Sequence, residues 1–166
     1  ELHLGQQGVE TLDFAPGGVG RGNVTLAGGG ITGGIIQARS PSDMLRFNSN
    51  TNNFLQGVEL RGDLNLNNGA SNTVRIFGGL TLRNEANTGN GTANLASNAR
   101  LAFQTDQTFN NATINMVTGT VLTLEQTGTD LTLGSGAVVQ GAGGVGTTQF
   151  VAGGATTLIN QGLIRG

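Results

Sequence analysis

Two nine-residue stretches, VELRGDLNL from Val58 to Leu66 and VRIFGGLTL from Val74 to Leu82, share one pattern: apolar, any, apolar, any, glycine, any, Leu, any, Leu. They begin sixteen residues apart. An alternating apolar and polar run, a glycine corner and a second alternating run describe two short strands meeting at a bend. The return of that unit after about one coil length marks a solenoid. The sequence therefore predicts an all-β chain wound as a single-stranded parallel β-helix, right-handed by the usual preference of parallel crossovers.

The sixteen-residue offset also predicts a register. Inward residues would stack as Val58 on Val74, Leu60 on Ile76, Leu64 on Leu80 and Leu66 on Leu82. On the outside, Glu59 would lie opposite Arg75 and Asn65 opposite Thr81. With about 16 to 20 residues per coil, the 166 residues would make roughly eight or nine coils. At a strand spacing near 4.8 Å these would rise about 40 Å. That is one unit, residues 1–166.

Along the chain the same grammar recurs, with strands of three to five residues between Gly, Asn and Ser-Asn corners. Leu2, Leu4, Val9, Leu12 and Phe14 open the course, and Val24, Leu26, Ile31 and either Ile35 or Ile36 continue it. Two polar excursions are expected to interrupt it, near 39–53 and 84–98. Pro41 cannot donate to a central ladder, and Asn48, Asn50, Asn52 and Asn53 favour a turn. Strands resume through Leu101, Phe103, Ile114, Met116, Leu122, Leu124, Leu131 and Leu133, then Val138, Val139, Phe150, Leu158, Ile159, Leu163 and Ile164. Asn67, Asn68, Asn84, Asn110 and Asn111 read as corner residues that tolerate left-handed backbone.

Composition supports order over disorder. Thirty glycines imply tight turns, while 36% hydrophobic residues in regular alternation supply burial that a disordered chain lacks. All eight basic residues are arginines, so Asn, Thr, Ser, Gln and Gly make up most of the surface. Such a neutral surface suits an extracellular location. The absence of cysteine excludes a disulfide framework and is compatible with export.

A net charge of −2 and a pI near 5.2 leave no clustered basic face for nucleic acid. No run approaches the roughly 18 to 20 apolar residues that span a bilayer, so membrane insertion is not expected. The N-terminal ELHLGQQG lacks the basic and apolar regions of a signal peptide, and a start at Glu1 is expected of a processed chain or an excerpt.

The succession NVTLAGGGITGGIIQA, NNFLQGVELRGDLNL, VRIFGGLTL, LTLGSGAVVQGAGGVG and TTLINQGLIRG resembles the tandem repeat units of very large bacterial surface β-helix proteins, allied to filamentous haemagglutinins and autotransporter passengers. The resemblance covers about Asn23 to Gly166. It implies an exported structural protein, attached to the surface or forming filaments, and it carries over no catalytic residues.

Chemical lookalikes resolve into turn chemistry. Gly141 to Gly146 and Gly28 to Gly33 both spell GxGxxG, but a nucleotide site needs a following helix and an acidic residue about 20 positions on. No acidic residue follows Asp130, and Pro41 opposes a helix before Asp43. The GGVG segments at 17–20 and 143–146 lack the aspartate of calcium-binding nonapeptide turns. His3 is the single histidine and there is no thiolate for a transition metal. Asp63 and Asp106 read as solvated carboxylates. Of the ten acids only Glu59 and Asp63 could share a face for glycoside hydrolysis, which needs two carboxylates about 5 to 9.5 Å apart. Arg61 and Arg75 beside them make an ion-pair ladder the simpler account. The Asn-x-Thr triplets at Asn23, Asn90 and Asn111 follow from composition. No catalytic, cofactor-binding or metal-ligating residue is therefore assigned.

The ends carry the functional expectation. ELHLG is already strand-like, LINQGLIRG continues to the last residue, and neither reads as a cap, so each could pair with a further coil. The expected partner is the same unit again, head to tail, either as a separate copy or as a tandem repeat in one longer chain, in a fibre or stalk. The alternative is an adhesin module, binding a surface or glycan through loops that project from the solenoid.

Overall fold

A computed structural model describes residues 1–4, 10–14, 22–38, 44–96, 98–147 and 155–166. Expectations resting on Val9, the GGVG at 17–20, Pro41, Asp43 and Phe150 lie outside these residues. Every described element is a strand and every pairing of strands is parallel, so the chain is an all-β solenoid of about six turns.

The strands fall into seven rungs of a three-sided coil. The first rung is β1 (Leu2–His3), β2 (Thr11–Asp13) and β3 (Val24–Leu26), and the second is β4 (Gly30–Thr32), β5 (Ile35–Gln37) and β6 (Leu45–Phe47). In the third, β7 (Phe54–Arg61) turns the corner between the first two faces and β8 (Asp63–Leu66) forms the third face. The fourth repeats this with β9 (Thr73–Arg83) and β10 (Gly91–Leu95). The remaining rungs are β11 (Arg100–Phe103), β12 (Gln107–Phe109) and β13 (Ala112–Met116); β14 (Val121–Leu124), β15 (Asp130–Leu133) and β16 (Val138–Gly141); and β17 (Gly144–Thr147), β18 (Thr157–Asn160) and β19 (Leu163–Arg165). The first face runs β1-β4-β7-β9-β11-β14-β17. β2 and β5 join the second half of β7 on the second face, which continues through β12-β15-β18. The third face holds β3-β6 and then β8-β10-β13-β16-β19.

The sixteen-residue register is corrected. Val58 lies beside Leu80, Glu59 beside Thr81 and Leu60 beside Leu82, while Leu64 and Leu66 lie beside Ala93 and Leu95. Partners along the third face stand 21 residues apart from Asn94 to Asn115 and 29 apart from Asn65 to Asn94. The reason is that the two matched stretches sit on different corners. VELRGDLNL bends at Gly62 between the second and third faces, and VRIFGGLTL bends at Gly78-Gly79 between the first and second. Both corners ask for the same chemistry, so a sequence template cannot tell them apart. Longer coils also mean fewer of them: seven rungs, about six turns from the first to the last, stand in place of the expected eight or nine coils.

The excursions are narrower than expected. Leu45 and Phe47 are buried strand residues within 39–53, and Gly91–Leu95 is a paired strand within 84–98. That strand reads as polar because two of its inward positions are Gly91 and Ala93. A Cβ on Gly91 would stand 2.7 Å from the Leu82 Cβ, so the small residue is needed.

One aliphatic core runs the length of the coil. On the first face Ile31, Leu55, Ile76, Phe103 and Leu124 form a continuous inward column, and on the third Leu64, Ala93, Ile114 and Val139 form another. All of them are buried. Phe103 and Phe109 meet edge to face at 5.5 Å inside the core.

The second face would break between β9 and β12, which share no backbone ladder. There the Gln107 amide substitutes for one: the Leu80 amide donates to Oε1 at 3.0 Å, and Nε2 donates to the Leu80 carbonyl at 3.1 Å. Asn53, fully buried, does comparable work at the corner after β6. Its Oδ1 accepts from the Gly28 amide at 2.7 Å, and Nδ2 donates to the carbonyls of Asn48 and Thr73 at 3.0 and 3.2 Å.

Candidate functional site

Two regions depart from a self-contained solenoid. The first is the pair of terminal rungs. Leu2 continues the first-face column of Ile31 and Val24 continues the third-face position of Leu45, yet they are 43% and 40% exposed where those partners are at most 2% exposed. At the other end Ile164 extends the column of Val139 and is 43% exposed, with Leu163 and Ile159 also bare. β18 and β19 each pair with one neighbour, β15 and β16. Around the first rung stand Glu1, Glu10 and Asp13, whereas Arg165 is the one charged side chain in residues 155–166.

The second is a groove along the third face. Strand alternation turns Asn65, Asn94 and Asn115 outward between buried apolar neighbours, and Gln140 outward between buried Val139 and exposed Gly141. Parallel register then places each above the last. Asn94 donates to Asn65 and Asn115 donates to Asn94, both at 2.8 Å, and Gln140 donates to Asn115 at 2.7 Å. Arg165 closes the series, giving Gln140 Oε1 bonds from Nε at 3.0 Å and Nη2 at 2.6 Å. The groove has two lobes of about 440 and 490 Å³, and Asn67 and Asn94 line both. Asp63 and Glu85 border one lobe, while Ala96, Met116 and Val117 form an apolar shoulder on the other.

The residues weighed from sequence are distributed differently. Glu59 lies on the second face and pairs with Arg61 at 2.6 Å, whereas Asp63 begins β8 on the third face. The expected Glu59–Arg75 pair is replaced: Arg75 Nε meets Glu125 at 2.7 Å, and its Nη1 donates to the Thr51 carbonyl. Gln104 adds a 2.8 Å bond to the same Glu125 carboxylate, so the network ties three successive rungs. Asp106 accepts from the Asp130 amide at 2.9 Å and acts as a corner staple. His3 stands 3.6 Å from Glu1 on the first rung. Gly28 to Gly33 spans a corner and the whole of β4, and Gly141 to Gly146 joins β16 to β17. Among the described residues no three His, Cys, Asp or Glu side chains converge as metal ligands.

The amide series was not anticipated, because sequence reasoning placed asparagine chemistry at the corners. There Asn84 makes a local bond, accepting from the Thr88 amide, while Asn68 and Asn110 bond across to the neighbouring rung, at the Phe47 carbonyl and the Gly136 amide. The missed signal is an amide flanked by small or apolar residues: Leu-Asn-Leu, Ala-Asn-Leu, Ile-Asn-Met and Val-Gln-Gly. No family model matches the chain, and no curated protein or solved structure matches it either.

Proposed function

We propose that this chain is a structural unit of an extracellular bacterial surface fibre or stalk, built by head-to-tail stacking of solenoid ends, with a right-handed winding. The observation that carries the reading is the exposure of Leu2, Val24 and Ile164, which continue columns that are buried everywhere else. Full burial of such a side chain is worth roughly 1.5 to 3 kcal/mol, so covering the part still exposed on each contributes roughly 1 kcal/mol, and the strand edges supply backbone partners as well.

The occupant argued for is a second copy. Its first rung offers the same three-sided outline and inward pattern that the last rung leaves uncovered. Charge favours that polarity, with Glu1 and Glu10 at one end and Arg165 at the other. A contact between unlike ends does not close, so it propagates into a filament. The lysine-free surface of amides and hydroxyls suits an exposed location, and the resemblance to tandem surface repeats points the same way. The role is structural rather than catalytic, since Glu59 is engaged by Arg61 on a face away from Asp63.

Sedimentation velocity over a concentration series tests this. Mass should rise with concentration for the native chain, and Ile164→Glu should remain monomeric with an unchanged far-UV spectrum. A native chain that stays monomeric at every concentration overturns the reading.

A further inference from the structure

We infer that the third-face groove is a binding site for a neutral, extended polysaccharide, with the amide series as its polar wall. A carboxamide offers two N–H donors and two acceptor lone pairs. Asn94 and Asn115 each give one N–H to the rung before and accept one bond from the rung after. Each therefore retains one donor and one acceptor, side by side, for a ligand. That is the complement of a sugar hydroxyl pair, and it is repeated on the two adjacent rungs of Asn94 and Asn115.

The repeat distance selects the ligand's form. Successive rungs rise about 4.8 Å, whereas an extended peptide rises roughly 3.3 Å per residue and falls out of step within two rungs. One unit of an extended β-linked hexose chain advances by a distance close to the rung spacing. The bonds already made along the series hold the amides in place, so little rotamer freedom is left for binding to remove.

The rest of the lining agrees. Val117 is 48% exposed and sits with Ala96 and Met116 beside Asn94, Asn115 and Gln140. This apolar shoulder gives the C–H face of a pyranose ring a surface to lie on while its hydroxyl edge meets the amides. Asp63 and Glu85 disfavour a polyanion at the other lobe, while Arg165 at the end of the amide lobe is engaged with Gln140. With no aromatic residue lining either lobe, each unit binds weakly, and affinity accumulates with ligand length.

The test is a titration of the isotope-labelled chain with oligomers of graded length from β-1,4-glucan, chitin, β-mannan and β-galactan, with pectin oligomers as the anionic comparator. The side-chain amide signals of Asn94, Asn115 and Gln140 should shift with at least one neutral series, and affinity should grow with oligomer length. Asn115→Asp should weaken binding by about tenfold, the loss of one good hydrogen bond. Val117→Asp, at an exposed position that leaves the core untouched, should weaken it similarly. Amide signals unmoved by every neutral series overturn the inference. So does binding that survives both substitutions, or pectin binding as tight as that of the neutral oligomers.

Discussion

Asn53 and Thr123 are both fully buried polar side chains, and they should respond to substitution in opposite directions. Asn53 satisfies the Gly28 amide and the Thr73 carbonyl on neighbouring coils. Asn53→Leu strands both, at about 1 to 3 kcal/mol for each unmet group, and a denaturant midpoint lowered accordingly is the expected result. The Thr123 hydroxyl has no hydrogen-bond partner among the described residues. Thr123→Val removes a polar atom that burial penalises, so the melting temperature should hold or rise. Apolar residues were legible at this scale: nearly every described residue assigned inward, from Val58 to Val139, is buried. Polar ones were less so, because Asn53 and Asn65 look alike in sequence. Only the register of the next coil decides that Asn53 is a buried brace and Asn65 the foot of an amide series.

Strands and their glycine corners were readable as local units, while their pairing was not. The corner at Gly57 faces Gly78 and Gly79, two residues against one, and the register shifts there. A positive φ of about 60° at both Gly57 and Gly78 is what glycine supplies, and it supplies the same at any corner of the triangle. Counting from corner to corner without knowing which corner gave the sixteen-residue offset. Within β10 two of the three inward residues, Gly91 and Ala93, are too small to register as a strand, so its long-range pairing to β8 and β13 identifies it. The Gln107 amide makes a sharper prediction at this scale. Gln107→Ala leaves the Leu80 N–H and carbonyl unpaired where β9 and β12 share no ladder. Amide exchange should accelerate at Leu80 far more than at Leu60, with about 1 to 3 kcal/mol lost overall. Equal exchange at both sites would mean the side chain is no substitute for the ladder.

Seven rungs on one axis bury their apolar columns along the length of the coil and, among the described residues, expose them at Leu2, Val24 and Ile164 in the first and last rungs. Stability in such an array sums over neighbouring coils, so a tip rung with one neighbour is its weakest part and gains most from a second. That links the fold to the proposed function: the side chains left bare at Leu2, Val24 and Ile164 would be covered by one more coil in the same register. It also sets a length. Seven rungs at about 4.8 Å give roughly 33 Å per unit, shorter than the 40 Å expected from eight or nine coils. Electron microscopy of the purified chain at rising concentration measures this directly. Unbranched filaments with an axial repeat near 33 Å, absent for Ile164→Glu, are the expected result; discrete particles of one unit's length at every concentration would contradict head-to-tail assembly.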